Sequence, residues 1–169
     1  MLGSVSKQVV TDSHHSVRVT RGEVGRKDGL PPKIMIGVDG SPESEHAVRS
    51  VGMRVWPDGT EVRIIAVDDG TSPARISALI SGNEKVCEEM VAWAENELRA
   101  IGLQVSVAIE KGDPRRVLIE QAQTWDADSI FVGGRKFRGA IERFRMGSVS
   151  TALVTKAHCS VEVVRSATS

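Results

Sequence analysis

Cysteine is scarce. Cys87 and Cys159 are the two thiols among 169 residues, and they form no C-x-x-C or other metal-ligand spacing. That excludes a zinc site or a redox motif built on cysteine pairs, and leaves both as small core residues in apolar patterns. Neither sign of charge is in excess: Lys plus Arg and Asp plus Glu number 22 each, so no global field favours nucleic acid or an anionic membrane. No apolar run is long enough to span a bilayer, and no segment has the build of a secretion signal. A reducing cytoplasm is therefore the expected setting. Catalytic constellations are missing as well. No Ser/His/Asp order, Cys/His pair or carboxylate dyad falls at any predicted site. His46 reads as a solvated helix residue, His158 as a structural donor before a strand, and His14-His15 as weak evidence for metal.

What is present is a repeat. Gly3-Ser4-Val5-Ser6, Val10-Thr11, His14, Ser16-Val17, Val19 and Arg21 recur 144 positions later as Gly147-Ser148-Val149-Ser150, Val154-Thr155, His158, Ser160-Val161, Val163 and Arg165. Eleven of nineteen aligned residues are identical without a gap. The second copy closes a domain, so residues 1–21 are expected to be the last helix and strand of a preceding domain, in a tandem arrangement. Residues 22–32, with Gly22, Gly25, Gly29 and the Pro31-Pro32 stop, read as a linker, and 166–169 as a tail.

Between 33 and 165 strands and helices alternate. Ile34 to Val38 is a nearly continuous apolar run, the mark of a parallel strand buried on both faces. Ser41 and Pro42 then open a helix with Ala47, Val48, Val51 and Val55 on one face. Glu61 to Val67 is the second strand. Val86, Met90, Trp93, Ala94 and Ile101 mark a helix stopped by Gly102. Leu103, Val105, Val107 and Ile109 alternate with Gln104, Ser106, Ala108 and Glu110, predicting an edge strand with one wet face. Asp113-Pro114 starts a helix that turns Val117, Leu118, Ala122 and Trp125 inward. Ile130 to Val132 is a central strand, a helix runs from Gly147, and Val161 to Arg165 is the last strand. Such alternation requires right-handed crossovers, hence a doubly wound, parallel, five-stranded α/β sheet with helices on both faces.

Ligands of such sheets sit at the carboxyl ends of the strands where the winding reverses. With 34–38 and 130–132 as central neighbours, that point lies between Asp39 and Gly133-Gly134. The loop after it carries Arg135, Lys136, Arg138, Arg143 and Arg145 against the single acid Glu142, a cationic arm in a neutral protein. The arm leads to Gly147-Ser148 at a helix start, where free N-H groups and the positive dipole end suit a phosphate. The same residues also read as turn glycines and a plain N-cap. Asp68-Asp69 reads either as a cation holder beside a nucleotide or as a solvated strand end.

The chain resembles a universal stress protein. The resemblance rests on Ile36-Gly37-Val38-Asp39-Gly40-Ser41, Gly112-Asp113-Pro114, Ala127 to Gly133, Gly147-Ser148-Val149-Ser150 and Ala157 to Val164, and it covers 33–165. It implies strand order 3-2-1-4-5 and, in many members, ATP held by a loop of form G-x-x-G, nine residues, then G-S or G-T. Here Lys136 or Phe137 stands at the middle glycine, depending on whether the count starts at Gly133 or Gly134. By resemblance, Asp39 and the backbone of Val38 and Val67 lie by the ribose and adenine. Gly133, Gly134, Arg135, Lys136, Gly147, Ser148, Val149 and Ser150 surround the phosphates, with Mg2+ as companion ion. The implied role is an ATP-binding sensor or regulator of stress response, at most a slow ATP hydrolase. The alternative is a nucleotide-free dimerisation module.

The resemblance also implies a dimer through the last strand, which is an uncovered edge. The first copy's strand, Ser16 to Thr20, nearly duplicates that edge. It is expected to pair with 161–165 of its own or a neighbouring chain, giving a homodimer or a pseudo-dimer.

Overall fold

The alternating pattern resolves, in a computed structural model, into one mixed sheet clad by helices on both faces. The structure describes residues 13, 15–21, 29–70, 86–134 and 147–166. Its elements are β1 (Val17–Val19), β2 (Lys33–Val38), α1 (Pro42–Gly52), β3 (Glu61–Asp68), α2 (Val86–Arg99), β4 (Gln104–Lys111), α3 (Pro114–Trp125), β5 (Ser129–Gly133), α4 (Ser148–Lys156) and β6 (Ser160–Val164). Expectations that fall on 1–12, 14, 22–28, 71–85, 135–146 and 167–169 lie outside the described residues.

Local chemistry sets the helix starts. The Ser41 hydroxyl accepts from the Ser44 amide at 3.2 Å and Pro42 takes the first helical position, where a missing N-H costs nothing. Asp113 does the same for α3, accepting from the Arg115 amide at 2.9 Å, with Pro114 next. The other end of α3 stops at Asp126 in the left-handed region, φ 57°, a conformation Asp tolerates because its short polar side chain bonds locally.

The sheet runs β1-β6-β5-β2-β3-β4. All neighbours are parallel except β1, which lies antiparallel on β6. The expected five-stranded, purely parallel sheet is therefore corrected to a six-stranded mixed one. The physical cause is the repeat: 17–19 is itself an edge sequence, and β6 offers it an unpaired ladder. Pairing occurs within the chain, with Val17 opposite Val163, Arg18 opposite Glu162 and Val19 opposite Val161.

Strand alternation divides the core into two layers. Met35, Ile65, Ile130, Val132, Val161 and Val163 meet Leu118, Ala122, Leu153 and Val154 of α3 and α4. Ile34, Ile36, Ile64 and Phe131 meet Ala47, Val48 and Val51 of α1 and Val91, Ala94 and Leu98 of α2. Each large side chain so removed from water contributes about 1.5–3 kcal/mol.

Three expected core positions are exposed instead. Val55 lies past the end of α1 and is 100% accessible, and Ile101 follows α2 in a turn at 50%. Ile109, at the far end of edge strand β4, is 49% accessible. Periodicity continued into turns, or along an edge with a neighbour on one side only, finds nothing to pack against. Cys159 is buried as expected, and His158, before the last strand, is exposed.

Candidate functional site

The two central strands are β2 and β5, paired in parallel, and the sheet winds outward in opposite directions from them. The crevice is thus at the ends of β2, β3 and β5, as the switch-point rule requires. Val38 closes β2 and Val67 lies one residue from the end of β3, both largely buried. Asp39 turns the chain into α1: its Oδ1 accepts from the Ser41 amide at 3.1 Å and the Ser41 hydroxyl at 2.5 Å. One function of this carboxylate is therefore to build the start of α1.

Two helix N-termini converge on the end of β5. A Cβ placed on Gly133 would lie 2.4 Å from the Glu43 carbonyl carbon and 2.7 Å from the Ser44 amide nitrogen, so the first turn of α1 sits directly against it. From the other side the Ser150 hydroxyl, in the first turn of α4, donates to the Gly133 carbonyl at 3.5 Å. Gly134 is equally confined, a Cβ there coming within 2.8 Å of Arg165 Cγ and 3.0 Å of Val163 Cγ1, while its amide donates to Val164 O at 2.7 Å. Both glycines, expected to bring backbone close to a ligand, are required by the packing of protein on protein.

Gly147 differs. It is the N-cap of α4 with φ −59°, and among the described residues no side chain caps the helix there and nothing lies within 4 Å of where a Cβ would be. Neither conformation nor described packing demands glycine at this position. Ser148 is the first helical residue and exposed, so it is not the cap that the plainer reading assigned to it. The leading N-H groups of an α-helix have no partner inside it, and among the described residues no capping side chain intervenes. This end of α4 can accept an anion, and α1, capped by Ser41, is already satisfied. Val149 is half-buried and Ser150 buried behind that opening.

Arg135, Lys136 and Phe137 lie outside the described residues, as does the whole cationic arm. Asp68 Oδ1 accepts from the Gly70 amide at 3.0 Å, and among the described residues no three His, Cys, Asp or Glu gather as metal ligands. The sequence reading missed Arg165, buried beside Gly134, whose guanidinium is held below its usual pKa by desolvation. The signal was available: Arg165 is the repeat partner of Arg21. It also missed Arg54, which forms a two-pronged ion pair with buried Glu162, Nη1 to Oε2 at 2.9 Å, and stacks 4.9 Å from the Phe131 ring. Burial pushes the Cys159 thiol up to about 11, leaving it protonated and unreactive.

A sheet wound both ways from β2 and β5, with an open helix end at the reversal, defines a doubly wound α/β protein with a switch-point crevice. The chain belongs to the universal stress protein family, whose family model matches residues 32–165. A Staphylococcus aureus (strain USA300) protein carrying that family name is 33% identical over 138 residues, spanning 78% of this chain and 82% of its own. Among solved structures, a universal stress protein from Archaeoglobus fulgidus DSM 4304 superposes with a TM-score of 0.71 at 26% identity, covering 98% of this chain and 56% of its own. An Arabidopsis thaliana family protein with AMP bound gives 0.60 at 22% identity, covering 81% and 94%. No helix among the described residues is long and apolar enough to cross a membrane.

Proposed function

We propose that this chain is a cytoplasmic ATP-binding module, with Mg2+ accompanying the nucleotide, that acts in stress response as a sensor or regulator without turning its ligand over. The observation that carries the reading is the uncapped start of α4. Among the described residues nothing occupies the space where a side chain on Gly147 would be, at the switch point of the sheet. Backbone amides at a helix start with a positive dipole end suit phosphate oxygens. An adenine nucleotide is the ligand class because a protein of the same fold holds AMP. In this reading Val38 and Val67 present backbone groups to the adenine and Asp39 stands by the ribose. Gly147, Ser148, Val149 and Ser150 receive the phosphates. Arg135 and Lys136 supply cationic charge from the loop, and Gly133 and Gly134 shape the crevice floor through packing.

A second reading, a nucleotide-free interaction module, is favoured by one observation: packing alone accounts for Gly133 and Gly134. Calorimetric titration with ATP and Mg2+ separates the two, using Gly147→Asp as the probe. Aspartate is a better N-cap than glycine, so the variant keeps or raises its melting temperature, while its carboxylate repels phosphate from the same amides. The expected result is saturable binding by the natural chain and at least tenfold weaker binding by the variant. Absence of binding to ATP, ADP and AMP selects the second reading. Steady phosphate release that follows bound ATP would overturn the non-catalytic part.

A further inference from the structure

The contact between β1 and β6 is a two-fold contact between copies of one sequence. Shifting 17–19 by the repeat interval of 144 gives 161–163. The observed register pairs Val17 with Val163 and Val19 with Val161, so each copy contributes both positions and Arg18–Glu162 lies on the axis. The hydrogen bonds obey the same symmetry. The Ser16 hydroxyl accepts from the Arg165 amide at 2.9 Å, and its equivalent, the Ser160 hydroxyl, accepts from the Arg21 amide at 3.3 Å. This reciprocity is what an isologous interface between two identical chains produces.

Within 16–21 and 160–165 the copies differ at Thr20/Val164 and, with reversal of charge, at the central Arg18/Glu162. If β6 met a second β6 in this register, Glu162 would face Glu162, each already paired with its own Arg54. The strap instead places Arg18 there. It also brings Val17 and Val19 onto the core layer that contains Val161 and Val163.

We infer that residues 16–21 are a built-in cap on the β6 edge, which hold it in the geometry of a two-chain interface and so close it to a second copy of this chain. The inference rests on the strap alone and is independent of nucleotide binding. Tethering fixes the balance. A segment joined by the short stretch 22–32 presents itself at an effective concentration on the order of millimolar. A β6–β6 dimer at micromolar protein concentration cannot displace it unless it pairs about a thousandfold more tightly.

The test is solution mass, by sedimentation or light scattering, of the full chain and of Val17→Asp/Val19→Asp, in which two carboxylates unseat the strap and leave residues 33–165 untouched. The natural chain is expected at single-chain mass over the concentration series. The variant is expected to dimerise with a dissociation constant at least tenfold lower. A synthetic peptide of residues 13–21, added in excess, should return it to single-chain mass. Arg18→Glu, an exposed single change that cannot prevent folding, should raise the dimer fraction and make it salt-dependent. Unchanged mass in both variants overturns the inference. So does a natural chain of two-chain mass that the double variant splits, since the strap would then be donated between chains.

Discussion

The backbone of Glu43 occupies the space that a side chain on Gly133 would need, with 2.4 Å between a Cβ there and the Glu43 carbonyl carbon. Gly133→Ala must push α1 off the end of β5, and overpacking of this kind costs about 1–3 kcal/mol. The melting temperature should drop by several degrees, whereas Gly147→Ser, with no described atom within 4 Å of its Cβ and a better N-cap than glycine, should not lower it. Equal stability of the two variants would refute the packing assignment.

Glu162 is a buried carboxylate whose charge is met by Arg54. Arg54→Met should destabilise by about 2 kcal/mol, below the range for fully buried pairs because Arg54 keeps 35% of its side chain exposed. Adding Glu162→Gln removes the stranded charge, so the double variant should be more stable than Arg54→Met alone. A double-mutant cycle by urea unfolding measures this, and strict additivity would contradict it.

Arg21, which precedes the residues matched by the family model, closes the end of α4. Its guanidinium donates to Ala157 O at 2.7 Å, to Thr155 O at 3.1 Å and to Val154 O, the carbonyls that an α-helix leaves without partners at its end. Arg21→Ala should lose about 1.5–3 kcal/mol of this charge-assisted bonding. Amide exchange should quicken at the end of α4 before it changes in β2 or β3.

Cys159 has its thiol pKa raised to about 11 by burial. The folded state therefore holds this proton where the unfolded thiol, with a pKa near 8.5, has begun to lose it. Its contribution to stability is complete below about pH 8.5 and is lost as pH rises through about 11. In a Cys87→Ser background, Cys159 should resist alkylation at pH 8 until the chain unfolds, and the alkaline decline should flatten in Cys159→Val. Rapid labelling of the native protein would contradict the assignment.

The central strands were legible because burial on both faces leaves a run such as Ile34 to Val38 almost without polar residues, and the caps Ser41 and Asp113 because their chemistry is local. Val55, Ile101 and Ile109 were misread because apolar character says nothing about whether a neighbour exists to cover it. At the site the switch point was legible from strand order. The different surroundings of Gly133 and Gly147 were not, because both are glycines after a strand or before a helix. Only the position of Glu43 distinguishes them.

By itself the sequence determined the alternation of strands and helices, the helix starts and the copy of 147–165 in 3–21, since each is written in neighbouring residues or in direct identity. The tertiary structure decided that the expected pairing of 17–19 with the last strand is antiparallel and within the chain, that Arg21 closes a helix more than a hundred residues away, and that among the described residues α4 presents an uncapped start at the crevice. These depend on which surfaces meet, and long-range packing, unlike capping or periodicity, leaves no signature in any single stretch of chain.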